Sequence, residues 1–400
     1  MAHRDVFVLQ DQKQAMEKGG FMRILKLEFQ KIMKNPMLWL LAVIFCLANC
    51  FIIYNEAGNK DTSKELEIMH HIITKTDDTA NTNQDKNETK QLSKAYQEYY
   101  KANVGLYDKI DMSNILKQKE ELYQYQPKGF MKKFVKHNYD HLQKRVQEIK
   151  ADKEYNQDFY PGQYYEIHSL LYSNLGKKLI LEMSVLIALS ILFIMDYERL
   201  QKTNDIVDAT KTGKKIMDYK ALTGTLSGIL FSAVLCGVTW IYFFYCVSFK
   251  GLWNVSIAST LVAEKREPGM VFYPFVTFFK ITQIQYLLLT LIVYLGIILL
   301  IALATIAIQF LLGNSYFSFA VLAIFNMVLF IGAYYFNGTF MDVILHFLNP
   351  ITLYITSGGW FMENSIPLSF VGNEFWIIGI SGLWLMLLVV FLRFRKYLMS

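Results

Sequence analysis

Charged residues are scarce in this sequence. Asp, Glu, Lys and Arg make up 18% of 400 residues, against about 25% in soluble proteins, so a water-soluble globule is a poor fit. Cysteine is rarer still. Cys46, Cys50, Cys236 and Cys246 all lie in apolar runs and none lies in the long polar stretch, which excludes a disulfide-built outer domain. Cys46 and Cys50 stand i, i+4, but no His or further Cys accompanies them, so they read as packing residues rather than metal ligands. Catalytic signatures are missing as well. The nearest approach to a Walker A sequence, TKTGKK at 210–215, lacks the first glycine and the spacing that builds a phosphate cradle. There is no H-E-x-x-H, no nucleophile elbow and no Cys-rich metal spacing. An enzyme working by any of these routes is excluded.

Charge is also nearly absent from the apolar runs. Ion-driven carriers place Asp, Glu, Lys or Arg in mid-membrane. Here only Glu182 comes close, and its position suits the outer end of a run, within reach of the interface. Gln309 and Asn326 are the main deep polar residues, and such residues are commonly helix-packing contacts. The net charge of +6 and pI of about 8.8 do not point to nucleic acid, because the basic residues cluster beside apolar runs and no recognition module accompanies them.

What the chain has in abundance is uncharged apolar sequence in blocks, 53% hydrophobic residues overall. Blocks of about 18 residues or more require a bilayer. The first span is predicted at 37–54, whose 18 uncharged residues reach about 27 Å as a helix. Further spans are predicted at 179–195, 221–247, 281–304 (or on to 312), 316–336 and 375–392. Residues 22–34, MRILKLEFQKIMK, alternate apolar and basic positions as a surface amphipathic helix does, and Asn35-Pro36 stops it. The polar segment 1–21 precedes a more regular pattern opening at Met22, so a native start at either methionine stays open.

The expected fold class is therefore an all-α integral membrane protein with six transmembrane helices. Its divisions are an N-terminal segment at 1–36, the first span, a mostly helical domain at 55–178, and the remaining spans at 179–400. In the helical domain Met131, Val135, Tyr139, Leu142, Val146 and Ile149 keep a helical period, while 74–91 is nearly all polar and reads as a mobile linker. Residues 337–374, broken by Gly338, Pro350, Gly358-Gly359 and Pro367, suit a re-entrant segment buried against protein. Asp342 and His346, i, i+4 within it, read as a structural pair, with a polar path as the rival. His70 and His71 are adjacent, so they face different sides of a helix and read as solvated surface.

Six spans put both termini on one side, and charge says which. Seven Lys or Arg precede Met37, six lie in 196–220 and three follow Leu392, whereas 248–280 and 337–374 hold four together. Long loops translocate regardless of charge, so the 20 basic residues of 55–178 do not vote. The termini are expected in the cytoplasm and the 55–178 domain outside.

LKLEFQKIMKNPM, directly before the first span, resembles the N-terminal elbow helix of type-2 ABC transporter permeases. The ER, T, ATKTGKK and YK elements of 196–220 are similar to that family's first cytoplasmic loop, which carries the coupling helix. The resemblance implies a bacterial cytoplasmic-membrane exporter subunit with ATP and Mg bound by a separate ATPase, present in two copies. It also implies a second permease chain, identical or related, membrane lipid around the spans, and a peptide or other amphipathic substrate. Carried over by position, it implies an ATPase-coupling set of Glu28, Glu198, Arg199, Thr203, Asp205, Thr210, Lys211, Thr212, Gly213, Lys214 and Lys215. The chain departs from many members in its 55–178 insertion, which suggests an outer domain that shapes release, senses a ligand or meets another protein. The rival expectations are a membrane sensor or scaffold working through that domain, and an intramembrane enzyme, which would need paired catalytic groups within the spans.

Overall fold

In the computed structural model, Asn35 and Pro36 turn the N-terminal basic helix (α1, residues 24–33) into the first span. Asn35 Oδ1 accepts from Met37 N at 3.0 Å and Pro36 occupies the first helical turn, where its missing N–H costs nothing. Trp39 closes the corner by donating to the Met33 carbonyl at 2.9 Å. The described residues exclude 1–21, 23, 75–89, 92, 95–96, 99–100, 102–104, 123–126, 158, 161–163, 202–212, 262–274, 337–340, 342–347, 364–369 and 400, and the side chains of 122, 164, 213–215 and 396–399.

The fold is all-α. Among the described residues six helices are long and apolar enough to cross a membrane: TM1 (Pro36–Gly58), TM2 (Tyr165–Met195), TM3 (Ile216–Cys246), TM4 (Gln283–Leu312), TM5 (Ser315–Tyr335) and TM6 (Asn373–Arg395). The start of TM1 and the end of TM6 therefore lie at one end of the bundle, the terminal end, and the described residues of 55–164 at the other, the loop end. Strand is confined, among the described residues, to one antiparallel ribbon of β1 (Val276–Thr277) and β2 (Met362–Glu363).

TM2 is the hub, 67% of its apolar window being buried against protein where TM5 has 11%. TM3 approaches it most closely through Gly224 and Gly228. A Cβ on Gly224 would fall 2.7 Å from Ile191 Cα, and one on Gly228 2.7 Å from Ile187 Cα. Small residues four apart allow this contact, which is how helices associate where apolar burial gives no advantage over lipid. TM4 opens with a Thr282–Gln285 capping box and closes on Gly313 at φ 64°, a left-handed position that suits glycine. Asn314 then caps TM5. Gln309 accepts from Ser318 Oγ at 2.7 Å and Asn326 donates to the Leu322 carbonyl at 2.9 Å, so both deep polar residues serve packing and local bonding.

Two helices outrun their apolar blocks. TM2 begins at Tyr165, well before 179, because Ile167, His168, Leu171, Tyr172 and Leu175 are buried against protein rather than lipid. The TM3 helix begins at Gly213, so the lysines of 214–220 belong to its opening turns and not to a loop. Residues 197–200 form a short helix; residues 202–212 lie outside the described residues. In the predicted re-entrant stretch, Ile351–Ile355 is a short helix, β2 pairs with β1, and Asn373 and Glu374 already belong to TM6. Asp342, His346 and most of the predicted linker fall outside the described residues.

Helices α2 (Lys60–Thr74), α3 (Met112–Leu122) and α4 (Gly129–Ala151) build the loop-end module. Val135, Tyr139, Leu142, Val146 and Ile149 bury one face of α4 against Tyr107, Ile110, Met112 and Ile115; Met131 does not join them and is exposed. Arg145 shares the buried face and forms a bidentate pair with Glu154 at 2.8 and 2.7 Å, the fork geometry that makes such a charge tolerable.

Candidate functional site: a charged joint at the terminal end

Glu198 lies 167 positions from Lys31, yet the Lys31 ammonium donates to Glu198 Oε1 at 3.0 Å. The same ammonium donates to Glu28 at 2.7 Å and sits 4.9 Å from the centre of the Tyr197 ring. Lys220, from the opening turns of the TM3 helix, pairs with the second Glu198 oxygen. Glu28, Glu198 and Lys220 are 3, 5 and 3% exposed, so this is an internal joint and not a surface charge cluster. Two carboxylates and two ammoniums cancel, which is the condition for burying them together. The amphipathic pattern of α1 makes the joint possible, since Glu28 and the buried Ile32 lie i, i+4 on the face turned to the bundle.

A second set of contacts extends the joint. Asp196, at the end of TM2, accepts from Arg199 at 2.7 Å, from Ser315 N at 3.2 Å and from the Ser315 hydroxyl. Arg199 also donates to the Gly313 carbonyl at 3.0 Å. Asp218, near the start of TM3, pairs with Arg393 at the end of TM6. The terminal end thus fastens α1 to TM2 and TM3, TM2 to the TM4–TM5 turn, and TM3 to TM6.

Of the eleven predicted coupling residues, Glu28 and Glu198 turn inward and meet through Lys31, while Arg199 is half-exposed and holds the TM4–TM5 turn. Thr203, Asp205, Thr210, Lys211 and Thr212 lie outside the described residues. Gly213, Lys214 and Lys215 form the first turn of the TM3 helix, with their side chains outside the description. Sequence reasoning missed the partners: Lys31, Asp196, Tyr197, Asp218, Lys220, Ser315 and Arg393. Lys31, Lys220 and Arg393 look like ordinary positive-inside residues, and only the fold shows that each meets a carboxylate.

No family model matches this chain, and no curated protein or solved structure resembles it.

The described contacts of the joint link α1, the segment after TM2 and the opening of TM3 through paired charges. At the loop end a cavity of about 520 Å³ opens between α2 and the last turn of TM3, lined by Glu67, His70, His71, Cys246 and Lys250 among others. His70 Nε2 donates to the Lys250 carbonyl at 2.8 Å and His71 lies 4.0 Å from Glu67, and both histidines line this one groove. No group of three or more His, Cys, Asp or Glu able to hold a metal occurs among the described residues.

Proposed function

We propose that this chain is the membrane-spanning permease subunit of an ATP-driven exporter, moving a peptide or other amphipathic substrate across the bacterial cytoplasmic membrane. The observation that carries the reading is the buried joint of Glu28, Lys31, Glu198 and Lys220. It makes the surface helix, the segment after TM2 and the opening of TM3 one mechanical unit, and that unit leads directly into the basic turn at 213–215. A separate ATPase, present in two copies with ATP and Mg, would dock on that turn and the adjoining 202–212 segment, with both termini on its side of the membrane. Glu28 and Glu198 then act as the rigid backing of the docking surface rather than as its contact residues, because buried paired charges resist sliding. A second permease chain would complete the path, leaving lipid on the remaining apolar faces.

Gentle solubilisation of native membranes and affinity purification through this chain test the proposal. A co-purifying Walker-A ATPase, with hydrolysis lost on Lys214→Glu plus Lys215→Glu, is the expected result. A chain that isolates alone and never with an ATPase turns attention to the loop-end module as a sensor or scaffold.

A further inference from the structure

Three spans meet at a polar point within the bundle. Asn49 of TM1 is wholly buried, and its Nδ2 donates to Glu182 of TM2 at 2.7 Å and to Thr239 Oγ1 of TM3 at 3.4 Å. Glu182, expected near the end of its span, faces protein here. Lys178, one turn outward, is exposed, but Glu182 itself is 8% exposed and faces the neighbouring helices. Thr239 donates its own hydroxyl proton to the Leu235 carbonyl at 2.9 Å, leaving its oxygen to accept. Asn49 Oδ1 is buried and has no donor among the described residues.

These facts fit one protonation state. A carboxylate at this depth would need a cation or several donors, and none of the described salt bridges reaches Glu182. The charged or titratable groups facing it are Lys178 on its own helix, whose side chain points outward, and the Cys46 thiol on TM1; TM3 brings the neutral Thr239 hydroxyl. A carboxylic acid solves both problems at once. It removes the charge, and its O–H supplies the donor that Asn49 Oδ1 lacks, giving an acid–amide pair in which each partner donates and accepts.

We propose that Glu182 is a proton-binding site within the membrane, a carboxylic acid at neutral pH that joins TM1 to TM2 and TM3 through Asn49. The proton is then a removable part of the joint. With it in place TM1 is held by neutral hydrogen bonds and can part from TM2 without exposing charge. Without it an anion would remain between three apolar helices.

Infrared spectroscopy of the full chain in lipid nanodiscs tests this at neutral pH. The wild-type minus Glu182→Gln difference should show a carboxylic-acid C=O band lost in the variant, and alkaline titration of the wild type should convert it to carboxylate bands. Asn49→Leu should shift the band to higher wavenumber as its hydrogen bond is lost. Should Glu182→Gln fail to fold, the wild-type minus Asn49→Leu difference decides in its place. A difference spectrum containing only carboxylate bands overturns the proposal.

Discussion

Glu198 holds two lysines, and this sets what its loss does. In Glu198→Ala the buried Lys220 loses its carboxylate partner. Breaking such a pair costs about 3 kcal/mol or more. The midpoint of thermal unfolding in detergent should therefore fall clearly, whereas Lys26→Ala, at an exposed position of α1, should leave it near the wild type. Equal midpoints for the two would contradict the joint. At the loop end, burial alone would raise the Glu154 carboxyl, but the Arg145 and Ser256 hydrogen bonds outweigh it and hold the group below its ordinary 4.5. A carboxyl lowered in the folded state adds stability that is complete above 4.5 and is lost as pH falls through the lowered value. Acid titration should loosen the loop-end module in that window, and Glu154→Gln should flatten the response; an unchanged acid limb would contradict the assignment. At this scale the sequence was legible in residue types only. Glu28 and Glu198 could be picked out by resemblance, but their partners lie far away in the chain, and no spacing rule connects Lys31 to position 198.

Element boundaries follow from what each helix buries. Hydropathy located the six spans because uncharged blocks of this length have no other solution than a bilayer. It missed the loop-end part of TM2, where Tyr165–Asn174 is mixed in composition and buries Ile167, Leu171 and Tyr172 against protein rather than lipid. It also missed the first turns of TM3, where Gly213 and three lysines read as loop although the helix runs through them. Packing within the bundle gives a sharper test. Gly228→Leu drives a side chain into Ile187 and should cost about 2 kcal/mol by overpacking. Gly237→Leu, on the same helix with no atom within 4 Å, should cost little. Folded yield and unfolding midpoint measure both, and equal behaviour would mean that TM3 does not sit on TM2 through this face.

For the whole molecule, the loop-end module is fastened to the bundle at several points. Glu154 accepts from Ser256 at 2.7 Å, Asp152 pairs with Lys280 at 2.7 Å, and Lys119 pairs with Glu363 on the ribbon. These contacts tie 55–164 to both the TM3–TM4 and the TM5–TM6 connections. Hydrogen exchange should show α4, Ile257–Thr260 and the ribbon opening together, and Glu154→Ala should raise exchange in all three; a response confined to α4 would mean that the module is separable. None of these ties was legible in the sequence, because each joins a short polar loop to a distant helix with no periodic signal. The helical nature of the module was legible, because the α4 stripe repeats at helical period.

On the proposed function, the 213–215 turn, backed by the Glu198 joint, receives force from an ATPase. The most direct test places a photoreactive amino acid at position 214 and, separately, at position 250 of the loop end, followed by irradiation in native membranes. A cross-link from position 214 to a Walker-A ATPase chain, altered by ATP, is expected, and none from position 250. Absence of any ATPase cross-link at 214, in a protein that is folded and inserted, would contradict it.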